Sequence, residues 1–418
     1  MKLHRRVFVV GGHVTPFIGK SHPDFVWKRH PDFGKRENPT LEQHLTAAIR
    51  GAFDDTGVDP AAIQRGTVGN FLGSLFSNQA HLGSMAVRAH EGLYGTPFVR
   101  TEAACASGGL AVTAAIDAIQ AGLDVTLAAG AEVQTTVSPR EGAGFLARAS
   151  HWETERDIDD FTFPAMFARR NKAYKERWGV TEEQLAHIVV KAYANANRNP
   201  LAHMKAVKVS LEHASAPSDT NPQFLRNEEL REHLKVTDCS QVSDGAAALI
   251  LASEEGLTRL GISASDCVEV LAYGHSTGPL GMVDDYTSLN TTSRAAREMY
   301  ADAGITPGEV GVAEVHDCFH VTEALMTEAL GFTDAGGGGR LAAEGATTLE
   351  GRIPVNTGGG LIAFGHPVGA TGVKQVLEVA RQMKGRCGDY QIATPPTVGV
   401  TANMGGDDRT SVCMAFRA

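Results

Sequence analysis

A short pattern occurs twice in this chain and restricts its fold more than any other feature. Phe53-Asp-Asp-Thr-Gly-Val-Asp-Pro60 is echoed by Tyr300-Ala-Asp-Ala-Gly-Ile-Thr-Pro307. Counting on from each proline, Ile63 pairs with Val310 and Val68 with Val315, and a loop follows each copy, at Gly69-Asn-Phe-Leu and His316-Asp-Cys-Phe. Ahead of the first copy, Thr40-Leu-Glu-Gln43 has the form of a capping box. Behind it Leu41, Leu45, Ala48, Ile49, Ala52 and Phe53 keep helical spacing up to a stop at Gly57. Two copies of one strand–helix alternation would explain the pattern. With 418 residues the chain also exceeds the usual single core. In such α/β units the loops after strands and the helix N-termini gather at one edge, where ligands bind.

A second landmark repeats in the same way. In the first half, Glu102-Ala-Ala-Cys-Ala-Ser-Gly-Gly-Leu110 places Cys105 among small residues, directly before an alanine-rich segment running to Gly122. That segment is apolar on nearly every face and predicts a buried helix, followed by a buried strand over Asp124–Gly130. In the second half, Gly365-His366-Pro-Val-Gly-Ala-Thr-Gly372 opens a helix whose apolar stripe is Val373, Val376, Leu377, Ala380 and Met383. Cys105 would sit at a helix mouth, where free N–H groups and the positive dipole end favour a thiolate. The bland alternative for an isolated cysteine is a packed thiol. Cys239, Cys267, Cys387 and Cys413, in or beside apolar runs, take that bland reading.

Elsewhere the chain reads as scaffold. Val7–Val10 predicts a strand meeting a turn at Gly11-Gly12, without the G-x-G-x-x-G of a dinucleotide site. His-Pro-Asp-Phe occurs twice, at 22–25 and 30–33, in a segment that reads as a surface loop rather than a metal site. Residues from about 138 to 235 form an insertion on the first unit, rich in His, Arg and Lys. It includes Ala168-Arg-Arg-Asn-Lys, read as a solvated helical face, and a second capping box, Thr181-Glu-Glu-Gln184. Ser243-Asp-Gly-Ala-Ala-Ala-Leu-Ile-Leu-Ala252 re-enters a core, and Gly336–Gly339 reads as a flexible surface loop. A net charge of −10 argues against nonspecific nucleic-acid or anionic-membrane binding. The six cysteines show no C-x-x-C pair or finger spacing, the pattern of a reduced compartment. No apolar run has the length of a membrane span, and the expected location is the cytoplasm, with an organelle matrix left open.

Five ordered motifs resemble the thiolases: Ala104-Cys-Ala-Ser-Gly, Ser243-Asp-Gly-Ala-Ala-Ala, His316-Asp-Cys-Phe, which resembles the sterol-carrier-protein type, Asn356-Thr-Gly-Gly-Gly and Gly365-His-Pro-Val-Gly-Ala-Thr-Gly. Val14-Thr-Pro-Phe-Ile-Gly-Lys20 also resembles their first loop. The resemblance implies an α/β thiolase-like fold: two duplicated βαβαβαββ units in a layered α-β-α-β-α core with an inserted loop domain. The units would span residues 1–258, including the insertion at about 138–235, and 259–418. Where most thiolases have Asn-Glu-Ala-Phe this chain has His-Asp-Cys-Phe, and where they end in Cys-x-Gly it has Asn403-Met-Gly-Gly406. The resemblance to the sterol-carrier-protein type implies that Cys318 supplies the second catalytic sulfur. Phe364 before Gly-His-Pro and the doubled His-Pro-Asp-Phe are departures that bear on substrate choice.

The implied chemistry is acyl transfer between CoA thioesters: thiolysis of a 3-ketoacyl-CoA or the reverse Claisen condensation, as in fatty acid metabolism. The resemblance makes Cys105 the nucleophile that carries the acyl group and His366 its activator. It makes Cys318 the acid–base group at the α-carbon, with His316 and His366 facing the enolate oxygen. The backbone N–H groups of Cys105 and Gly405 would face the tetrahedral oxyanion, and Ser240 would touch CoA. No metal or redox cofactor is implied, CoA being a substrate, and a homodimer or homotetramer is expected, with room for an accessory protein. Three alternatives stand beside this reading: a decarboxylating ketoacyl-synthase-like enzyme, a partner-dependent acyltransferase subunit, and a metal-binding protein using His316, Cys318 and His320. The last ranks lowest, because a strand-to-loop backbone points those side chains in differing directions.

Overall fold

A computed structural model describes residues 1–418 and joins nine strands into one hydrogen-bonded sheet. They are β1 (Lys2–Val14), β2 (Arg65–Gly69), β3 (Phe98–Thr101), β4 (Val125–Glu132), β5 (Gly245–Ser253), β6 (Val268–Thr277), β7 (Val312–Val315), β8 (Val398–Gly405) and β9 (Thr410–Arg417). Their spatial order is β3-β2-β4-β5-β1-β6-β9-β8-β7. The helices used below are α1 (Leu41–Thr56), α2 (Ser107–Gln120), α3 (Pro139–Leu146), α4 (Thr162–Trp178), α5 (Glu182–Ala196), α6 (Asn290–Ala303), α7 (His320–Ala329), α8 (Gly338–Ala343) and α9 (Thr371–Met383).

Each half of the sheet repeats the other. In the first, β2 runs parallel to β3 and β4, and β4, β5 and β1 follow antiparallel. In the second, β7 is parallel to β8, and β8, β9 and β6 follow antiparallel. A parallel bridge from Ala313 to Val355 stands where β3 stands beside β2. The halves meet where β1 pairs antiparallel with β6, Val7 opposite Val270 and Val9 opposite Val268. The sequence repeat marks the same joint in each unit. α1 ends on Gly57 at φ +67° and α6 on Gly304 at φ +65°. A single 3₁₀ turn opened by Pro60 or Pro307 then leads into β2 or β7. Both capping boxes form as the sequence predicts, at Thr40/Gln43 and Thr181/Gln184.

The layering follows from which elements are apolar all round. β4 and β5 are buried along their whole lengths, so both faces must be covered. α1 packs on β1, β4 and β5 from one side. α2 and α9, one from each half, pack against each other between the two sheet halves, and α6 closes the far side against β6 and β9. The result is the α-β-α-β-α arrangement. α2 and α9 approach closely enough that side chains are excluded at the contact. A Cβ on Gly108 would lie 2.7 Å from the Gly369 carbonyl oxygen, and one on Gly130 would collide with that same oxygen.

Three expectations change. Gly336–Gly339 is not a loose loop: Gly338 opens α8, and a Cβ there would collide with the Ala324 carbonyl of α7. The basic run on α4 is not uniformly solvated. Arg170 is fully buried, paired with Asp407 and donating to the carbonyls of Tyr286 (3.1 Å) and Ser288 (2.9 Å); a buried guanidinium is tolerated because its charge and N–H groups are matched. The two His-Pro-Asp-Phe copies build the same turn, each histidine Nδ1 accepting the N–H of the following aspartate at 3.1 Å. Yet the first copy is folded inward, with Phe25 8% exposed against 56% for Phe33. No helix is long and apolar enough to cross a membrane.

The contact between the halves generates a stability prediction. Gly130→Val forces β4 off the first turn of α9 and should lower unfolding free energy by about 3 kcal/mol, the upper end of ordinary overpacking costs. The shift is read from urea denaturation followed by circular dichroism. Gly144→Ala, inside a helix where a Cβ meets nothing within 4 Å, should leave the midpoint level or raise it slightly through helix propensity.

Candidate active site

Cys105 sits on a strained turn between β3 and α2. Ala104 holds φ +49°, a left-handed conformation unusual for a residue with a Cβ. Three hydrogen bonds fix it: Glu102 accepts from the Ala104 N–H (2.6 Å), while the Ser107 hydroxyl accepts from the Ala103 N–H (3.0 Å) and donates to the Ala104 carbonyl (2.6 Å). The sulfur is thereby presented ahead of the N-terminus of α2. It opens into a cavity of about 130 Å³ whose walls include Phe71, Phe163, Phe167 and Phe319. His316, Cys318 and His366 line the same cavity. The Cys105 sulfur and a ring nitrogen from each of His316 and His366 all lie within 4.8 Å of one another.

The second half supplies His316 and Cys318 from the loop after β7, and His366 from the turn before α9. Asp317, between them, turns away from the cavity: its carboxylate accepts the Leu361 N–H at 2.6 Å and the Ile362 N–H at 3.4 Å, tying the His-Asp-Cys-Phe loop to the glycine-rich loop after Asn356. His366 is clamped through its backbone by the first half. Its N–H donates to the Ser243 hydroxyl (3.2 Å), and its carbonyl accepts from the Gln134 amide (2.8 Å). His203 orients that hydroxyl in turn, with Nδ1 2.8 Å from Ser243 Oγ and Nε2 2.8 Å from the Lys20 carbonyl. Glu132, buried on β4, accepts from Asn70 (2.9 Å), Phe71 (2.9 Å), Leu72 (3.1 Å) and the Gly369 N–H (3.2 Å), pinning the loop after β2 to the start of α9. Burial pushes its carboxyl up to about 7, while these donors favour the charged form.

One asparagine sets the protonation pattern. Asn403 Oδ1 accepts the Gly109 N–H at 3.0 Å, which leaves its Nδ2 to donate to the Cys105 carbonyl (3.1 Å) and to His316 Nδ1 (3.2 Å). His316 Nδ1 is therefore the unprotonated nitrogen and Nε2 carries the hydrogen. His366 has the opposite arrangement. Its Nδ1 lies 2.6 Å from the Thr371 hydroxyl, and Thr371 has the Pro367 carbonyl (3.2 Å) as its own acceptor, so Nδ1–H donates to Thr371. Its Nε2 is buried without a partner in the protein and keeps a free lone pair. The rings meet edge to face, centroids 5.1 Å apart. Burial holds His366 down at about 3 and His316 well below the usual imidazole range, so both are neutral at pH 7.

Cys105 departs from the sequence-based expectation. Burial pushes its thiol up to about 12, outweighing the N–H groups of Gly406 and of Cys105 itself, which favour the thiolate. The walls that exclude water cost a charged sulfur more than the helix mouth returns, so the resting pair is thiol and neutral imidazole. Cys318 is likewise raised by burial, with the Thr322 hydroxyl 3.7 Å from its sulfur. Gly406, at φ +66°, lines the cavity beside the Cys105 sulfur, and Gly405 precedes it as the last residue of β8. Ser240 lines the cavity and donates its N–H to the Cys318 carbonyl at 2.8 Å. Cys239 lines it too, half-buried, where a packed thiol was expected; Cys267, Cys387 and Cys413 are buried as expected.

His320 does not join His316 and Cys318. It points into a separate cluster with Glu182 and Asp238, where Lys235 is hydrogen-bonded to both carboxylates. Phe364 lies outside the cavity, packed edge-on against Phe17 with centroids 4.8 Å apart. Sequence reading missed Asn403, Thr371 and Glu132 as site residues. For Asn403 a signal existed, since it stands where most thiolases carry their second cysteine.

Comparison with known proteins agrees across the whole chain. A family model described as the thiolase N-terminal domain matches residues 31–255, and one described as thiolase C-terminal domain-like matches residues 272–416. The chain is 37% identical to an acetyl-CoA acetyltransferase of Methanothermobacter thermautotrophicus, over 89% of this chain and 93% of that one. It is 30% identical to the benzoylsuccinyl-CoA thiolase subunit BbsB of Thauera aromatica, over 98% and 97%. Among solved structures, the Ltp2-ChsH2(DUF35) aldolase shares the fold with a TM-score of 0.73 at 21% identity, covering 99% of this chain and 98% of that one.

The asparagine network yields a direct test. Asn403→Asp keeps the shape and the acceptor for Gly109 but removes the donor to His316, which then favours the wrong tautomer. A drop in kcat of about 10²- to 10⁴-fold is expected, by the scale of other tautomer-controlling residues. The KM for CoA should stay within about threefold, since only transition-state contacts are lost.

Proposed function

The chain belongs to the thiolase family, and on that premise we propose that it transfers acyl groups between CoA thioesters, cleaving 3-ketoacyl-CoA or forming it by Claisen condensation. The observation that carries this is the convergence of two sulfurs and two oppositely protonated imidazoles on one apolar cavity. The acetyl-CoA acetyltransferase and the thiolase subunit among its relatives support the same reading.

In the cleaving direction, Cys105 gives its proton to His366 Nε2 as its sulfur attacks the ketone carbon of the substrate. Neutral groups are suited to this step: no solvated ion pair is broken, and charge develops only as the bond forms. The N–H groups of Cys105 and Gly405 are the donors proposed for the resulting oxyanion, with Gly406 beside the sulfur. As the bond between the α- and β-carbons breaks, charge moves to the thioester oxygen. His316 already presents Nε2–H there, and His366 presents Nε2–H once it holds the Cys105 proton, so two donors meet the enolate. The Cys318 thiol protonates the α-carbon, releasing acetyl-CoA and leaving the acyl group on Cys105. Incoming CoA then gives its thiol proton to the Cys318 sulfur and attacks the acyl carbon. The departing Cys105 sulfur recovers its proton from His366. Every proton and leaving group is handled by the chain's own thiols and imidazoles, with CoA as substrate.

A homo-oligomer fits the exposed edge. β3 pairs only with β2 and ends the sheet, with Val99 38% exposed on it and Tyr94 81% exposed just before it. An edge strand without a second partner is a pairing surface. A second copy, or an accessory protein of the kind the word subunit implies for BbsB, would cover it.

Acyl labelling separates the two sulfurs. Cys105→Ala should abolish acetyl transfer from acetyl-CoA to the protein and lower thiolysis of acetoacetyl-CoA by about 10⁴-fold or more. Cys318→Ala should still be labelled on Cys105, while its thiolysis falls by about 10²- to 10⁴-fold, the usual contribution of one acid–base group. Full labelling of Cys105→Ala would refute the nucleophile assignment.

A further inference from the structure

Beside the catalytic cavity lies a second one of about 290 Å³, which the reaction steps above do not use. The two share Gln134, Leu146, Phe163, Pro164 and Val242 as a common wall. Leu146 and Phe163, in that wall, are only half-buried. Beyond that wall the second cavity is bounded by Phe25, Phe76 and Phe161, and by α3, which presents Gly142 and Ala143 rather than bulkier residues. Its walls are held from behind: Phe76 meets Phe145 with ring centroids 5.1 Å apart, and Phe161 meets Phe224 at 5.4 Å.

Phe25 reaches this place through the first His-Pro-Asp-Phe turn. His22 accepts the Asp24 N–H on Nδ1, and its carbonyl accepts the Phe25 N–H at 3.1 Å. The His22 ring is buried 6.4 Å from that of His203, the residue that orients Ser243 and through it the His366 backbone. The same scaffold thus positions both the catalytic imidazole and the wall of the neighbouring cavity. The second copy builds an identical turn and leaves Phe33 in solvent. Only one of the two turns serves a cavity.

The lining identifies the occupant. Lys20 is the only charged residue around it, and it has no carboxylate partner within salt-bridge reach. A nucleotide's phosphates call for several cations or N–H donors, whereas aromatic and aliphatic walls suit an apolar group. An apolar cavity of about 150 Å³ accepts a benzene ring, so this one has room for a ring with a short linker. We propose that it is the subsite for the acyl tail of the β-ketoacyl thioester, shaped for an aromatic ring or a chain of about six or more carbons. This rests on the thiolase reading and adds the substrate class to it.

The test uses the full-length protein and a ladder of substrates: acetoacetyl-CoA, 3-ketooctanoyl-CoA and benzoylacetyl-CoA, each with saturating CoA. Gly142→Leu fills the cavity from α3, where a Cβ meets only Phe76 at 3.4 Å or more and Val137 at 3.7 Å. It should cut kcat/KM for the two larger substrates roughly tenfold or more and leave acetoacetyl-CoA and the KM for CoA within about threefold. Phe25→Ala enlarges the cavity from the opposite wall and should shift preference toward the longer or bulkier tail, without requiring any added side chain to fit. The subsite is overturned, with the thiolase reading intact, if the parent protein cleaves acetoacetyl-CoA but neither larger substrate. It is equally overturned if both variants leave the ladder unchanged or raise the KM for CoA with every substrate alike. Failure of the parent to cleave any of the three overturns both readings.

Discussion

The amide of Asn403 holds the two halves of this protein in working relation. Its oxygen takes the Gly109 N–H in the first turn of α2, and its nitrogen reaches both the Cys105 carbonyl and His316 Nδ1. The residues it joins are nearly 300 positions from it on one side and 87 on the other. A side chain with one fixed acceptor and two fixed donors cannot be reversed without losing three hydrogen bonds at once, each in a buried place where loss is costly. That fixes the orientation of the nucleophile's loop and the tautomer of the histidine opposite it. The absence of Cβ atoms at Gly108, Gly130 and Gly369 does the rest, allowing the elements that carry Cys105 and His366 to touch.

The cavity's low polarity shapes the chemistry as much as its polar groups do. The aromatic walls that shield Cys105 also push its thiol up to about 12 and hold His366 at about 3. A preformed thiolate–imidazolium pair is thereby disfavoured, and proton transfer becomes part of the attack. The two histidines then differ only in which nitrogen bears the hydrogen, and that difference assigns them distinct tasks. The one bonded to Asn403 is a donor from the outset, and the one bonded to Thr371 first accepts. Two identical side chains are told apart by second partners lying outside the cavity.

Much of this was legible in the sequence because it depends on local pattern. The repeat around Gly57 and Gly304 announced a duplicated unit, and the small residues flanking Cys105 and His366 announced close approach at two helix starts. The features that sequence reading mistook depend on distant partners. Arg170 looked like a surface charge because its counter-ion, Asp407, lies 237 residues away. The thiol of Cys105 looked activated because a helix start is visible in sequence, whereas walls brought in by the insertion are not. Asn403 read as a missing cysteine, and only its three hydrogen bonds reveal it as a device in its own right.

The central claim is that the two imidazoles rest neutral and in opposite tautomers. It is tested most directly by long-range ¹H–¹⁵N spectra of the protein labelled with ¹⁵N-histidine at pH 7, assigned by comparison with His316→Gln and His366→Gln. The structure predicts that His316 is protonated on Nε2 alone and His366 on Nδ1 alone. Finding either ring as the imidazolium, or both rings in the same tautomer, would contradict it.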